Sequence, residues 1–275
     1  MCKVLNISRS SCYYKKKPKE CDTELENGVS IEFNLSHKIY GCRKLRVELM
    51  IKQNGHEAYI ISRRRIGVIM NKYKLKSKYT LRQKRKKRDE KVNNDDVENK
   101  VARQFDNRKP LEVVVSDLTY IKCCGVWYYL CILLDLHSRK IIGYAIGRYK
   151  DAKLVRTAFY SVRVDLRKIN LFHTDRGGEF KNRIIDDILS VFGIERSLSA
   201  KGTPIDNAVA ESMYNIVKTE FVYGNSFRDI DDLELKWFEY VNWYNNVRIH
   251  GSLGYVSPAE YERNEMVKAV RLKNV

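Results

Sequence analysis

LEVVVSDLTYIKC (residues 111–123), VWYYLCILLDL (126–136) and KIIGYAIG (140–147) follow one another almost without a gap, and their reading decides the fold. All three are rich in Val, Ile and Tyr, side chains that pack well on a pleated surface and favour extended backbone. Gly125 separates the first run from the second, and a turn at residues 136–139 separates the second from the third. Connections this short join antiparallel neighbours. Downstream the period lengthens to that of a helix over residues 151–166, and a fourth strand, KINLFHTD (168–175), follows. A helix over 180–192 and a short fifth strand, IERSLS (194–199), come next. The predicted order is strand-strand-strand-helix-strand-helix-strand-helix, an α/β core.

Upstream of this core the chain has another character. Residues 1–88 hold 24 Lys/Arg against 7 Asp/Glu, whereas residues 89–275 hold 28 against 27, so nearly all of the formal charge of +18 lies at the N-terminal end. Such a surface gains free energy on phosphate by releasing condensed counterions, which makes nucleic acid the expected partner. Within residues 24–76, Ile31, Leu35, Leu45, Leu49, Ile66 and Ile69 recur at helical spacing, punctuated by Gly41 and Gly55. The expectation is a small helix-turn-helix unit inside a basic region, residues 1–82. Arg43 and the run Arg63, Arg64 and Arg65 at the head of the third helix are its candidate DNA contacts. A charged linker is expected over 83–109, a catalytic core over 110–263 and a tail over 264–275.

Other classes are disfavoured. The longest apolar run, residues 126–134, is far short of the roughly 20 residues of a membrane helix, and the polar start MCKVLNISRSSCYYKKK lacks a signal-peptide core. The expected location is cytoplasmic, associated with the nucleoid, with no membrane partner. Seven cysteines without a CxxC pair, and no histidine pair at zinc spacing, indicate neither a disulfide framework nor a zinc module.

Three carboxylates carry the chemistry. Asp117 lies amid β-branched neighbours in the first strand, where a charge costs several kcal/mol unless something pairs with it. Asp175 closes the fourth strand in FHTDRGGEF, and Gly177 and Gly178 are expected to let the backbone turn away there. Side by side, two such carboxylates repel unless a divalent cation sits between them. The third is Glu211, in GTPIDNAVAESMYNIVKTEF (202–221). Asp206 is placed to cap that helix. Val209, Met213, Ile216 and Val217 would form its buried face, with Asn207, Glu211, Tyr214 and Lys218 opposite. The element order matches the ribonuclease H-like fold, in which strands one and four are neighbours.

These segments together resemble the OrfB-type transposases of the insertion-sequence-three family, relatives of retroviral integrases. SDLTYI (116–121), HTDRGGEF (173–180), GTPIDNAVAES (202–212) and WYNNVRIHGSLGYVSPAEY (243–261) all match its motifs, as does the basic start with YGCRKL (40–45). Glu211 lies 36 positions after Asp175, and Lys218 seven after Glu211, which completes the family's D-D-E-K signature. Val115, where relatives commonly carry tryptophan, is a departure at a packing position. The resemblance implies a ribonuclease H-like core behind a helix-turn-helix domain. It further implies two divalent ions, Mg²⁺ or Mn²⁺, held by Asp117, Asp175 and Glu211, for cleavage and strand transfer at terminal inverted repeats and target DNA. An upstream-frame OrfA partner or fusion, and a homo-oligomer on DNA, are implied as well.

Around these residues, Lys218 is a candidate grip on the DNA backbone, and Arg248 and His250 suit either DNA contact or packing. His173 suits support of Asp175 or a structural role. Trp237, Tyr240, Val241 and Tyr244 recur at helical spacing and read as core. The alternatives are a catalytically silent DNA-binding regulator derived from a transposase, and a nuclease of the ribonuclease H type.

Overall fold

The computed structural model describes residues 8, 23–52, 61–80, 99–101, 108–200 and 207–273, with side chains to residue 268. It divides into two compact units, Met1–Lys76 and Ser77–Val275.

In the first unit the described residues form three helices: α1 (Thr23–Leu35), α2 (Cys42–Lys52) and α3 (Arg63–Lys72). Leu25, Val29 and Phe33 of α1 pack inward with Leu45, Leu49, Ile66, Ile69 and Met70. Ile31 and Leu35, which recur at the same helical spacing, are exposed. Leu25, Val29 and Phe33 repeat every four residues and leave those two on the opposite side. Ser62 caps α3, its hydroxyl accepting from the Arg65 N–H at 3.2 Å, so Arg63, Arg64 and Arg65 open the helix with exposed side chains. Gly55 lies outside the described residues.

The second unit is built on five strands: β1 (Val113–Cys123), β2 (Val126–Asp135), β3 (Ile141–Gly147), β4 (Leu171–Thr174) and β5 (Glu195–Leu198). Their order across the sheet is β3-β2-β1-β4-β5. β1, β2 and β3 are antiparallel, while β4 runs parallel to both β1 and β5. This is the mixed sheet of the ribonuclease H-like fold. Alternation along the strands gives each face its own core. Val113, Val115, Leu130, Ile132 and Leu134 point to one side, and Val114, Cys131 and Leu133 to the other.

Helices cover both faces. α4 (Ala152–Tyr160) and α5 (Arg183–Phe192) bring Leu154, Val155, Phe159, Ile185 and Leu189 to one. α6 (Ala208–Val217) and α7 (Ile230–Asn246) bring Met213, Tyr214, Val217, Trp237 and Tyr244 to the other. A last helix, α8 (Pro258–Lys273), follows. Val115 is buried at its packing position, and the Trp237, Tyr240, Val241 and Tyr244 stripe lies in the core as expected.

Three boundaries shift for local reasons. α4 stops at Tyr160, and Asp165 then starts a separate 3₁₀ turn by accepting from the Arg167 N–H at 3.1 Å. α5 begins at Arg183 rather than 180 because Asn182 caps it through the Ile185 N–H at 3.2 Å. β4 ends at Thr174, one residue before Asp175. Of the expected linker, residues 83–98 and 102–107 lie outside the described residues, and Val101 is fully buried in the core.

Candidate active site

The two aspartates meet because their strands do. β1 and β4 pair in parallel with Val115 opposite His173, and Asp117 and Asp175 each lie two residues further on. Parallel neighbours are about 4.8 Å apart, so the register sets the two carboxylates at one level of the sheet edge. A backbone donor orients each: the Leu118 N–H donates to Asp117 Oδ1 at 2.7 Å, and the Gly177 N–H to Asp175 Oδ1 at 3.0 Å. Burial, then the charge of Asp175, push the Asp117 carboxyl up to about 8, with Glu211 adding a weaker push. The Leu118 N–H and the Lys150 ammonium work in the opposite direction without cancelling it.

Tyr214 docks the helix that carries Glu211 against this point. Its hydroxyl donates to the backbone carbonyl of Asp117 and accepts from the Ile132 N–H at 3.0 Å, joining the two residues that pair across β1 and β2. Tyr214 was expected on the outer face of α6, but the phenol finds backbone partners inside, where it is 6% exposed. Glu211, one turn earlier, is exposed and lines an open groove of about 360 Å³ with Tyr79, Ala208, Ser212, Asn215 and Ile216. Asp206 lies outside the described residues, and Asn207 stands at the N-cap without a side-chain cap bond.

Two further residues join the site. Lys150 Nζ pairs with Glu179 Oε1 at 2.9 Å. Burial works against its charge, but Glu179, then Asp175 and Asp117, keep its pKa above the usual lysine value. A Cβ at Gly177 would fall 2.5–2.7 Å from the Glu179 carboxylate. Gly177 is therefore needed for the space that Glu179 fills; neither Gly177 nor Gly178 has the positive φ of a glycine turn. Glu179 sits inside the quoted HTDRGGEF motif and had a signal in the sequence, whereas Lys150 reads as one more solvated charge.

The hard oxygen donors of Asp117 and Asp175, both half-buried and repelling each other, fit a divalent cation such as Mg²⁺ or Mn²⁺. Among the described residues no three His, Cys, Asp or Glu side chains stand close enough together to hold a metal ion. The two aspartates are coupled electrostatically, and the Glu211 charge acts on Asp117 more weakly than that of Asp175.

Integrase core domain families match residues 107–204 and 211–266. An uncharacterized 31 kDa protein of insertion element IS600 from Shigella sonnei is 30% identical over 272 residues, 95% of this chain and 97% of that protein. The chain belongs to the insertion-sequence-three family of transposases. The transposase for IS904 from Lactococcus lactis is 31% identical over 168 residues, covering 60% of this chain and 66% of its own length. Among solved structures, the HTLV-2 integrase catalytic core domain in complex with magnesium is 16% identical and covers 51% of this chain and 90% of its own, with a TM-score of 0.41. The BIV integrase catalytic core is 17% identical, covering 57% and 98%, with a TM-score of 0.42.

The remaining candidates of this transposase fall into separate groups. Arg43, Arg63, Arg64 and Arg65 are exposed on the helical unit. Lys218 ends α6, where the backbone passes into a single π-helical turn, Lys218–Val222. Of the two readings of Arg248 and His250, their geometry fits packing rather than DNA contact. The Arg248 guanidinium donates to both oxygens of Glu220 at 2.6 and 2.8 Å and lies 2.9 Å from His250 Nε2, all of it buried. A side chain 4% exposed and fully engaged has no surface for a phosphate. His173 is likewise buried, its Nδ1 2.9 Å from Ser197 Oγ. No helix among the described residues is long and apolar enough to cross a membrane.

Proposed function

We propose that this transposase cuts one DNA strand at each end of its element and joins the freed 3′-hydroxyl to a target phosphodiester, with Asp117, Asp175 and Glu211 as the catalytic carboxylates. One observation carries the reading: two aspartates at the same level of adjacent parallel strands, one pushed up to about 8 by burial and by the other's charge. A structural carboxylate would have been given a cation or a set of donors. Asp117, Asp175 and Glu211 would hold two Mg²⁺ or Mn²⁺ ions, which supply Lewis-acid stabilisation of the attacking and leaving oxygens.

The chain's own residues do the positioning. The Leu118 and Gly177 N–H groups fix one oxygen of each aspartate, and Tyr214 holds the Glu211 helix to the Asp117 backbone. Lys150, paired with Glu179, contributes positive charge beside the aspartates. In both steps an oxygen nucleophile attacks phosphorus as the P–O3′ bond breaks; the proton of water or of the attacking 3′-hydroxyl passes to solvent, and the leaving O3′ takes a proton from solvent to become a 3′-hydroxyl. Lys218 would hold the backbone near the element's tip, and Arg43, Arg63, Arg64 and Arg65 would contact phosphates or base edges from the helical unit. An OrfA partner from the upstream frame, or fusion to it, and a homo-oligomer on DNA complete the proposed assembly, acting with the nucleoid.

The test is strand joining in Mg²⁺ or Mn²⁺ on DNA carrying the element's own ends, with the OrfA partner supplied. Wild-type protein joins 3′ ends to target, and Glu211→Gln binds DNA equally but joins none. Equal joining by both proteins would remove Glu211 from the chemistry.

A further inference from the structure

The β1–β2 hairpin carries an exposed aromatic pair that this chemistry leaves unused. Tyr120 and Trp127 are 44% and 50% exposed, and their rings meet edge to face with centroids 5.1 Å apart. Two ammonium groups lie against them. Lys218 Nζ is 4.8 Å from the Tyr120 centroid, and Lys122 Nζ is 5.8 Å from that of Trp127. Rings of this size are normally covered by the fold, because each removes about 150–250 Å² from water. Here they stay on the surface, stiffened by one another.

One contact ties them to the helix that carries Glu211. β4 pairs with β1 at residues 113–115, so the strand beyond has no β4 neighbour along that edge. Tyr120 is three residues past Asp117 on one strand, about 10 Å at roughly 3.3 Å per residue, and by alternation its side chain leaves the opposite face of β1. Lys218 comes from the helix of Glu211, two turns on. Lys218 Nζ, 4.8 Å from the Tyr120 centroid, therefore links the rings to the helix of Glu211, so that a strand passing from the carboxylates around this open edge of β1 comes to the rings.

We infer that Tyr120, Trp127, Lys122 and Lys218 form a stacking platform for unpaired nucleobases next to the cut end of the DNA. Aromatic rings interleaved with cations are what single-stranded nucleic acid selects: the rings stack on base faces and the ammonium groups meet the phosphates. A second protein surface fits less well, since lysine is depleted at the centre of protein interfaces. The base must be unpaired, because inside a duplex both of its faces are already covered. The inference rests on the DNA-joining reading for its substrate, but not on catalysis.

The experiment uses the full chain without Mg²⁺ or Mn²⁺ and compares two probes in anisotropy titrations, a blunt duplex and the same duplex with a three-nucleotide single-stranded tail. Wild-type protein should prefer the tailed probe. Trp127→Ala should weaken tailed binding by about 5- to 150-fold per lost base contact and leave blunt binding within about twofold. Trp127→Phe, which keeps a ring, should retain the preference and separate stacking from misfolding. Tailed DNA should quench indole fluorescence more in wild type than in Trp127→Phe, whose remaining indoles, Trp237 and Trp243, are fully and partly buried. No tail preference in wild type, equal losses on both probes, or a change of oligomeric state in place of a change in tail binding would overturn the platform. Joining that depends on Glu211 with a neutral Trp127→Ala would defeat the platform alone. Trp127-dependent tail binding with joining indifferent to Glu211 would defeat the catalytic reading alone.

Discussion

Glu220 meets a guanidinium and two phenols, whereas Asp117 meets a second carboxylate. Both belong to the same compact unit and both are drawn out of water. Around Glu220, Arg248 donates to both oxygens, and the Tyr79 and Tyr240 hydroxyls donate at 2.5 and 3.0 Å. Lys78 adds a bond to its backbone carbonyl at 2.7 Å. Around Asp117 the fold provides one backbone N–H and a lysine held by Glu179, set against Asp175 and Glu211. One acid is neutralised by the protein and fixes architecture. The other is left electrostatically unfinished, the condition in which binding a cation gains the most.

The contrast breaks first at the level of activity. Glu211→Gln or Asp117→Asn should lower strand joining by about 10³-fold or more, the loss of several kcal/mol of charge stabilisation, measured on end-joining substrates with folding checked by circular dichroism. Next comes stability. Arg248→Met strands the buried Glu220 charge and should cost about 3–5 kcal/mol in urea unfolding, while Asp117→Asn should cost nothing.

The third contrast is in pH. Asp117 has a raised folded pKa, so the folded state favours its proton and loses stability as that proton is removed. With metal absent, its penalty is missing below the unfolded value near 4, grows by up to about 1.4 kcal/mol per unit as pH rises, and is complete above about 8. Asp117→Asn should therefore stabilise the metal-free protein more at pH 8 than at pH 5. A gain independent of pH would remove Asp117 from the balance. The smallest effect is on Mn²⁺ affinity, which should rise by up to about tenfold per pH unit toward pH 8, because the cation displaces one proton. Isothermal titration at two pH values reads this directly.

Much of this was legible in the sequence. The five strands and their order follow from runs of branched and aromatic residues broken by Gly125 and by the 136–139 turn, and the charged Asp117 amid VVV marked itself. What escaped depends on partners far away in the chain. Arg248 lies 28 residues from Glu220, and no local period distinguishes a buried arginine from one that grips DNA. Tyr214 sits on the helix side shared with Glu211, and it was the need of its hydroxyl for backbone partners that drew it inside. Lys150 looks like any surface lysine until the loop after β3 is folded next to Glu179. Periodicity finds faces, but it does not find pairings that the tertiary fold makes.

The central claim is that Asp117 is left electrostatically unfinished beside Asp175 in order to receive a cation, with Glu211 joining them. Anomalous diffraction from crystals grown with Mn²⁺ tests it most directly. Metal density between the two aspartate carboxylates, with the Glu211 side chain swung in to coordinate, is the expected result. Well-ordered crystals that show no manganese there at millimolar concentration, or show it bound elsewhere with Glu211 still facing solvent, would contradict the account.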